Sequence, residues 1–382
     1  MKTGMYILNV GLVSPAGNSP ELVLAAAPAA PVLLEFPGQK AALKTAGFRC
    51  DLSEARALLG PMKLRRLGRL QIMSLLAAKK AGLSPDALSG DTGVYLGTGL
   101  GSLGETAAFL ENMILKGEDF PKPASFINSV HNAAASSLAL EYSCKGENIT
   151  VAHREISFDA ALGHALSALG KGRVKRALVC GADELNYYHI LAGEEKGLWK
   201  TGAAPGPLAG GNSRGVCPGE GAAVFLLSTG EDGVPAGAIA RVLGARTARY
   251  RHDAHSYIDP AAAADFLCGL LDSCGVKPAE TGLLLSGADG DCALDAVYRR
   301  VAAQLDGRAG RPVPHGSYKQ LCGEYKSASG FGFALAALLL RAGAAPPGLR
   351  FAGEPPAGPV KTVLSYTISR AGVHSASLLA QL

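Results

Sequence analysis

The sequence has few charges, few aromatic rings and no paired cysteines, and each shortage removes a class of protein. Only 18% of its 382 residues are charged and 48% are hydrophobic, which excludes the low-hydropathy signature of a disordered chain and favours a body with a large core. Eight cysteines (Cys50, Cys144, Cys180, Cys217, Cys268, Cys274, Cys292, Cys322) are scattered with no C-x-x-C pair. Neither a zinc site nor a disulfide framework is expected, and reduced core thiols suit a cytoplasmic protein. The most apolar run, 331–340, falls far below the roughly 20 residues of a membrane helix and reads as a buried helix. The opening MKTGMYILNVG lacks the apolar length and cleavage pattern of a signal peptide. A net charge of +5 is mild and gives no reason to expect a nucleic-acid partner. Its densest cluster, Lys63, Arg65, Arg66 and Arg69, is either a solvated helix face or a docking patch for an acidic protein.

Strand and helix patterns alternate along the whole length. Strands are expected near 5–13, 92–96, 148–152, 177–180 and 222–227, with helices near 63–80, 102–116, 125–142 and 156–169. The segment 205–221, rich in Gly and Pro, reads as a loop. After a turn near residue 230 the pattern begins again. Strands are expected near 238–245, 282–286, 361–366 and 374–380, with helices near 260–274, 293–305 and 331–341. This recurrence predicts an α/β protein of two similar halves, residues 1–230 and 231–382.

Three local patterns offer other chemistry. Gly99-Leu100-Gly101-Ser102-Leu103-Gly104 fits a dinucleotide fingerprint, with Asp119 about 20 residues on, but it begins a third of the way along the chain. His252 and His255 form a possible metal pair without Cys or Glu support, and they read as surface histidines. Asp289, Asp291 and Asp295 lack the glycine and terminal glutamate of a calcium loop, and read as a loop with a helix N-terminus. No metal and no cofactor is expected.

Seven motifs in order carry a resemblance. They are GLVSPAGNS at the start, the glycine loop 97–101, Asn132, the strand Gly146–Ala152, Gly181-Ala182-Asp183-Glu184, Arg214-Gly215 with Gly219-Glu220-Gly221-Ala222-Ala223, and Lys319 with Gly323. Together they resemble the β-ketoacyl synthases of the thiolase superfamily, nearly end to end. The resemblance implies a thiolase-like five-layered α-β-α-β-α fold with two pseudo-duplicated halves. It also implies a dimer through the strand near 148–152 and the helix near 128–140.

Family chemistry needs a cysteine thiolate at a helix N-terminus and two histidines that support decarboxylation and the developing enolate. Carried over position by position, the cysteine becomes Glu155, the first histidine Gly287 and the second Glu324, while Lys319 is kept. The phenylalanine gate becomes Ser369-Arg370-Ala371-Gly372. A carboxylate is a poor nucleophile toward a thioester, so no condensation by this chain alone is expected. Glu155 and Glu324 are expected to pair with a cation such as Lys319 or Arg154. Cys322, His131, His153 and His164 are weaker candidates for displaced chemistry, His153 being read as packed and hydrogen-bonded.

The expected role is a chain length factor of a polyketide or fatty acid pathway, with the Cys-Gly-Glu form of the last motif fitting the aryl-polyene type. Its expected partners are an active ketosynthase, or a second copy of itself, and an acyl carrier protein. Two alternatives remain open. One is an enzyme of altered chemistry, a decarboxylase or thioesterase using Glu155 and Glu324. The other is a non-catalytic homodimeric acyl-binding protein. Product length is not legible.

Overall fold

Strand β1 (Gly4–Val13) is where the two halves of the chain meet. It runs antiparallel to β7 (Gly221–Gly230) along one side and, from Met5 to Ile7, antiparallel to β8 (Ala240–Arg249) on the other. The computed structural model describes residues 4–28, 30–38, 42–88, 90–117, 123–200, 206–230, 233–249 and 258–382. Asp119, His252 and His255 lie outside them.

Around this junction the same topology occurs twice. The first half holds β1, β4 (Thr92–Gly97), β5 (Asn148–Val151), β6 (Arg176–Asp183) and β7, in the spatial order β5-β4-β6-β7-β1. The second holds β8, β9 (Leu283–Ser286), β10 (His315–Ser317), β12 (Thr362–Ile368) and β13 (Val373–Ala380), in the order β10-β9-β12-β13-β8. Each half has two parallel ladders followed by two antiparallel ones, so strand roles correspond one to one. The short β11 (Arg350–Phe351) adds to β10. A separate hairpin of β2 (Val32–Phe36) and β3 (Leu43–Gly47) was not foreseen from the sequence, because its strands do not alternate cleanly. The helix Tyr187–Glu195 also lies in a segment assigned no element.

Helices supply the other layers. Between the two halves of the sheet lie α5 (Ser157–Gly170) and α8 (Ala328–Ala342), and every residue of α8 from Ala328 to Leu340 is buried. This explains the apolar run read from the sequence: the helix has neighbours on all sides. The outer face of the first half is covered by α1 (Arg69–Lys80) and α4 (Ala133–Glu141), and that of the second by α6 (Pro260–Ser273) and α7 (Cys292–Ala309). Counting outward gives α-β-α-β-α. No helix among the described residues is long and apolar enough to cross a membrane.

Two expected helices are each broken in two. The basic helix divides into Pro61–Leu64 and α1, because Gly68 is extended and its N–H donates to the Gln71 side chain. Arg69 then turns inward to Glu220, and Lys63 pairs with Glu141, so only Arg65 and Arg66 of the basic cluster remain exposed. The small-residue helix divides into α3 (Pro123–Ser129) and α4, and Asn132 sits exposed at the break. Before it, α2 (Leu103–Lys116) follows the glycine loop as expected.

Candidate functional site

The turn from β5 into α5 places Glu155 at the mouth of the central layer. Arg154 there adopts φ +51°, a left-handed conformation that costs a non-glycine residue about 1–2 kcal/mol. Ser157 staples the turn: its hydroxyl accepts from the His153 N–H at 2.9 Å and donates to the Arg154 carbonyl at 2.7 Å. Held this way, the Glu155 side chain is buried and meets the Lys326 ammonium. Burial alone pushes its carboxyl up. The charge and hydrogen bond of Lys326, with a smaller contribution from Lys319, outweigh burial and hold it below the usual carboxylate range. Glu155 is therefore an ionised, paired carboxylate.

A second pair lies in the loop between β10 and α8. Gly323, at φ +71°, closes a turn in which its N–H donates to the Lys319 carbonyl, and this brings Lys319 onto Glu324. Burial lowers the Lys319 pKa, but Glu324 and Asp289 more than reverse this and keep the ammonium charged. The backbone of Glu324 is fixed on both sides, since its N–H donates to the Cys217 carbonyl and its carbonyl accepts from Gly219, both at 2.9 Å. The third pair joins Arg370 to Asp289 at 2.8 Å. Asp289 is raised to about 6 by burial, against the opposing pull of Lys319 and Arg370.

The four residues 369–372 form the tight turn between β12 and β13. The Ser369 hydroxyl accepts from Ala371 and Val373 N–H groups, and Gly372 supplies the positive φ. Gly287 lies just past β9, with its N–H on the Tyr366 carbonyl. A Cβ built there would sit 3.0 Å from the Tyr298 hydroxyl, so even the first atom of a side chain requires that hydroxyl to shift.

Around these pairs the glycine loop is a packing device. A Cβ on Gly97 would strike the Ser157 backbone at 2.4 Å, and one on Gly99 would strike Lys326 Cβ at 2.1 Å. The loop is tied down by buried Asp183, which accepts from the Thr98 hydroxyl and from the N–H groups of Gly99, Leu100 and Ser327. The carboxylate of Asp183 thus occupies the backbone donors that a phosphate would need, contrary to a dinucleotide reading.

Several sequence expectations need adjusting. Glu155 pairs with Lys326, not with Arg154. Lys326 lies two residues beyond Glu324, yet no spacing rule aims it at residue 155. Asp289 was read only as loop, and its link to Arg370 depends on contact across β9 and β12. His153 is exposed rather than packed, as are His131 and His164. Cys322 is fully buried, and burial pushes its thiol well up, so it offers no thiolate. His189, which nothing in the sequence singled out, is half-buried with its ring edge-on to Trp199, and desolvation together with the Lys326 charge lowers it to about 4. The expected helix N-terminus near Asp291 is present: Asp291 caps α7 by accepting from Ala293. Among the described residues no group of His, Cys, Asp and Glu could hold a metal.

In chemical terms the site holds three cations (Lys319, Lys326, Arg370) against three carboxylates (Glu324, Glu155, Asp289). Neutralised in this way, it has no thiolate to take an acyl group and no imidazole at the two motif positions to stabilise an enolate.

Residues 38–233, just over half of the chain, match the family described as "Beta-ketoacyl synthase, N-terminal domain". A 3-oxoacyl-[acyl-carrier-protein] synthase 2 from Mycobacterium leprae (strain TN) is 31% identical over 137 residues, which is 35% of this chain and 32% of that relative. Among solved structures, the ishigamide ketosynthase/chain length factor superposes with a TM-score of 0.83 at 19% identity, covering 100% of both chains. A type II PKS acyl-carrier protein in complex with its ketosynthase bound to the hexaketide gives 0.80 at 16%, again over 100% of both chains. A β-ketoacyl synthase from Burkholderia phymatum STM815 gives 0.80 at 19%, with the same coverage. At these identities the superpositions establish a shared thiolase-like fold.

Proposed function

The chain belongs to the β-ketoacyl synthase family, and from that premise we propose that it is a non-condensing subunit, a chain length factor that pairs with a cysteine-bearing ketosynthase and bounds the tunnel into which the partner's acyl chain grows. The observation that carries this reading is the buried Glu155–Lys326 pair at the start of α5, where the family's thiolate is expected. An ionised carboxylate attacks a thioester poorly, and the anhydride it would form is unstable. Gly287 has no side chain and Glu324 is held by Lys319, so the two positions that serve the developing enolate are also lost.

Pairing is supported by the surface beside β5. Ile114, Leu115, Phe126, Ile127 and Leu140 are between 55% and 83% exposed, on α2, α3 and α4. Apolar exposure of this extent next to an open strand edge marks an interaction surface. Exposed Arg65 and Arg66 remain for an acidic carrier protein, and the Cys322-Gly323-Glu324 sequence favours the aryl-polyene type. The halves divide near residue 230, the protein works in the cytoplasm, and no cofactor is required.

Co-expression with a ketosynthase of the same pathway tests this reading. A stable mixed dimer is expected, with acyl groups found by intact mass only on the partner. Elongation of an acyl chain by this purified chain alone would overturn it.

A further inference from the structure

Two buried carboxylates meet a single guanidinium beneath the starts of α1 and α2. Glu220 has no exposed surface and takes Arg69 on both oxygens, Nε donating to Oε2 at 2.9 Å and Nη2 to Oε1. It also accepts from the N–H groups of Cys50 and Leu185. Arg69 Nη2 makes a further bond to the Cys50 carbonyl at 3.2 Å. Glu184, just past β6 and only 3% exposed, has no ion pair among the described residues. Instead its Oε2 accepts from the Leu70 N–H at 3.0 Å and its Oε1 from the Gly104 N–H at 2.8 Å. Those are the second residues of α1 and α2, so one carboxylate caps two helices.

The two helices depend on it unequally. α1 buries eight of its 12 residues, whereas α2 buries only Asn112 of its 14. Ser102, which precedes α2, makes no cap with its side chain, and its hydroxyl is buried without a partner. Burial pushes the Glu184 carboxyl up and the two N–H groups pull it down. Glu220 then pushes it up again, Arg69 opposes this least of all, and the balance stands at about 7. The other titratable groups packed here are Glu105 of α2, which lies over Gly68, Asp183 of β6 and the Cys50 thiol, and burial raises all three. The folded value of Glu184 lies above the ordinary 4.5, so the stability of the closed state is complete below about pH 4.5 and is lost as pH rises through about 7.

We propose that Glu184 is a proton-operated latch on α2: neutral, it stays buried and keeps the first turn closed, and ionised, it draws in water and that turn opens. α2 also carries Ile114 and Leu115 of the exposed apolar face, so the latch bears on that face whatever partner covers it. The test follows the full chain from about pH 6 to about pH 8, by carbon-13 NMR of the Glu184 carboxyl and by amide exchange. The carboxyl is expected to titrate near pH 7. The protection factor of Gly104, corrected for intrinsic exchange, should fall about tenfold over that range, and that of Leu70 by less than about threefold. Glu184→Gln, neutral at every pH, should abolish the fall. A carboxyl midpoint below about pH 5.5, a Gly104 protection independent of pH, a fall shared equally by Leu70, or an undiminished fall in the Gln variant overturns the proposal. The carboxyl and the two amides of the unaltered chain decide the matter even if the variant fails to fold.

Discussion

The two halves share a strand order and differ at the outer edge. In the first half β5 ends the sheet, and no strand among the described residues pairs with its far side; in the second half its counterpart β10 is closed by β11. The surroundings differ in step. Large apolar side chains stand exposed on α2, α3 and α4 near β5, while the 352–357 loop and the end of α7 surround β10. The central helices differ as well. A strained turn bearing Glu155 leads into α5, and the segment bearing Lys326 leads into α8, so the two equivalent helix starts meet as opposite charges. A duplicated scaffold thus gains its asymmetry from the few residues at strand ends and edges.

The sharpest way to break this contrast is to charge the open edge. Ile114→Asp with Leu140→Asp is expected to weaken assembly at least about a hundredfold by analytical ultracentrifugation, since charge in an apolar interface is left unpaired. Phe351→Ser on the closed edge should leave assembly unchanged. Equal sensitivity of the two edges would remove the distinction.

Next in size is the bridge between the helix starts. Lys326→Ala strands a buried carboxylate and is expected to cost about 3 kcal/mol in urea unfolding. The double variant Glu155→Gln with Lys326→Met should recover most of that loss, because neither charge then remains. A smaller effect is expected in acid. Glu155 titrates lower in the folded chain than in the unfolded one, so the unfolded state binds more protons in the window just below the ordinary carboxylate value. Its stabilisation is thus present above about pH 4.5 and lost as pH falls through the folded value. Melting temperatures across pH 3 to 5, to within about a unit, should fall less steeply in Glu155→Gln than in the unaltered chain. Smallest of all, exposed His153→Ala should change stability by no more than about 0.5 kcal/mol, where a packed histidine would cost more.

Most of the fold was legible. Apolar runs such as 222–227 in β7 and 331–340 inside α8 depend on local chemistry, and both lie where they were read. The helix breaks at Gly68 and Asn132 were not: at the first, an extended Gly68 donates its N–H to the Gln71 side chain, and Arg69 then turns to Glu220, far away in the chain. In the site, the identities Glu155, Gly287 and Glu324 came straight from motif order. Their partners did not. Lys326 reaches Glu155 across 171 residues, and Arg370 reaches Asp289 across 81.

Residue order alone carried the expectation that the family's chemistry is missing, because a thiol or an imidazole is either encoded at a position or is not. It also settled the layered class of the fold, through repeated strand and helix periods. Tertiary structure decided which cation neutralises which carboxylate, which histidines are buried and which sheet edge stays open. Those outcomes depend on distances between segments far apart in the chain, and electrostatic and desolvation energies follow distance and burial rather than sequence separation.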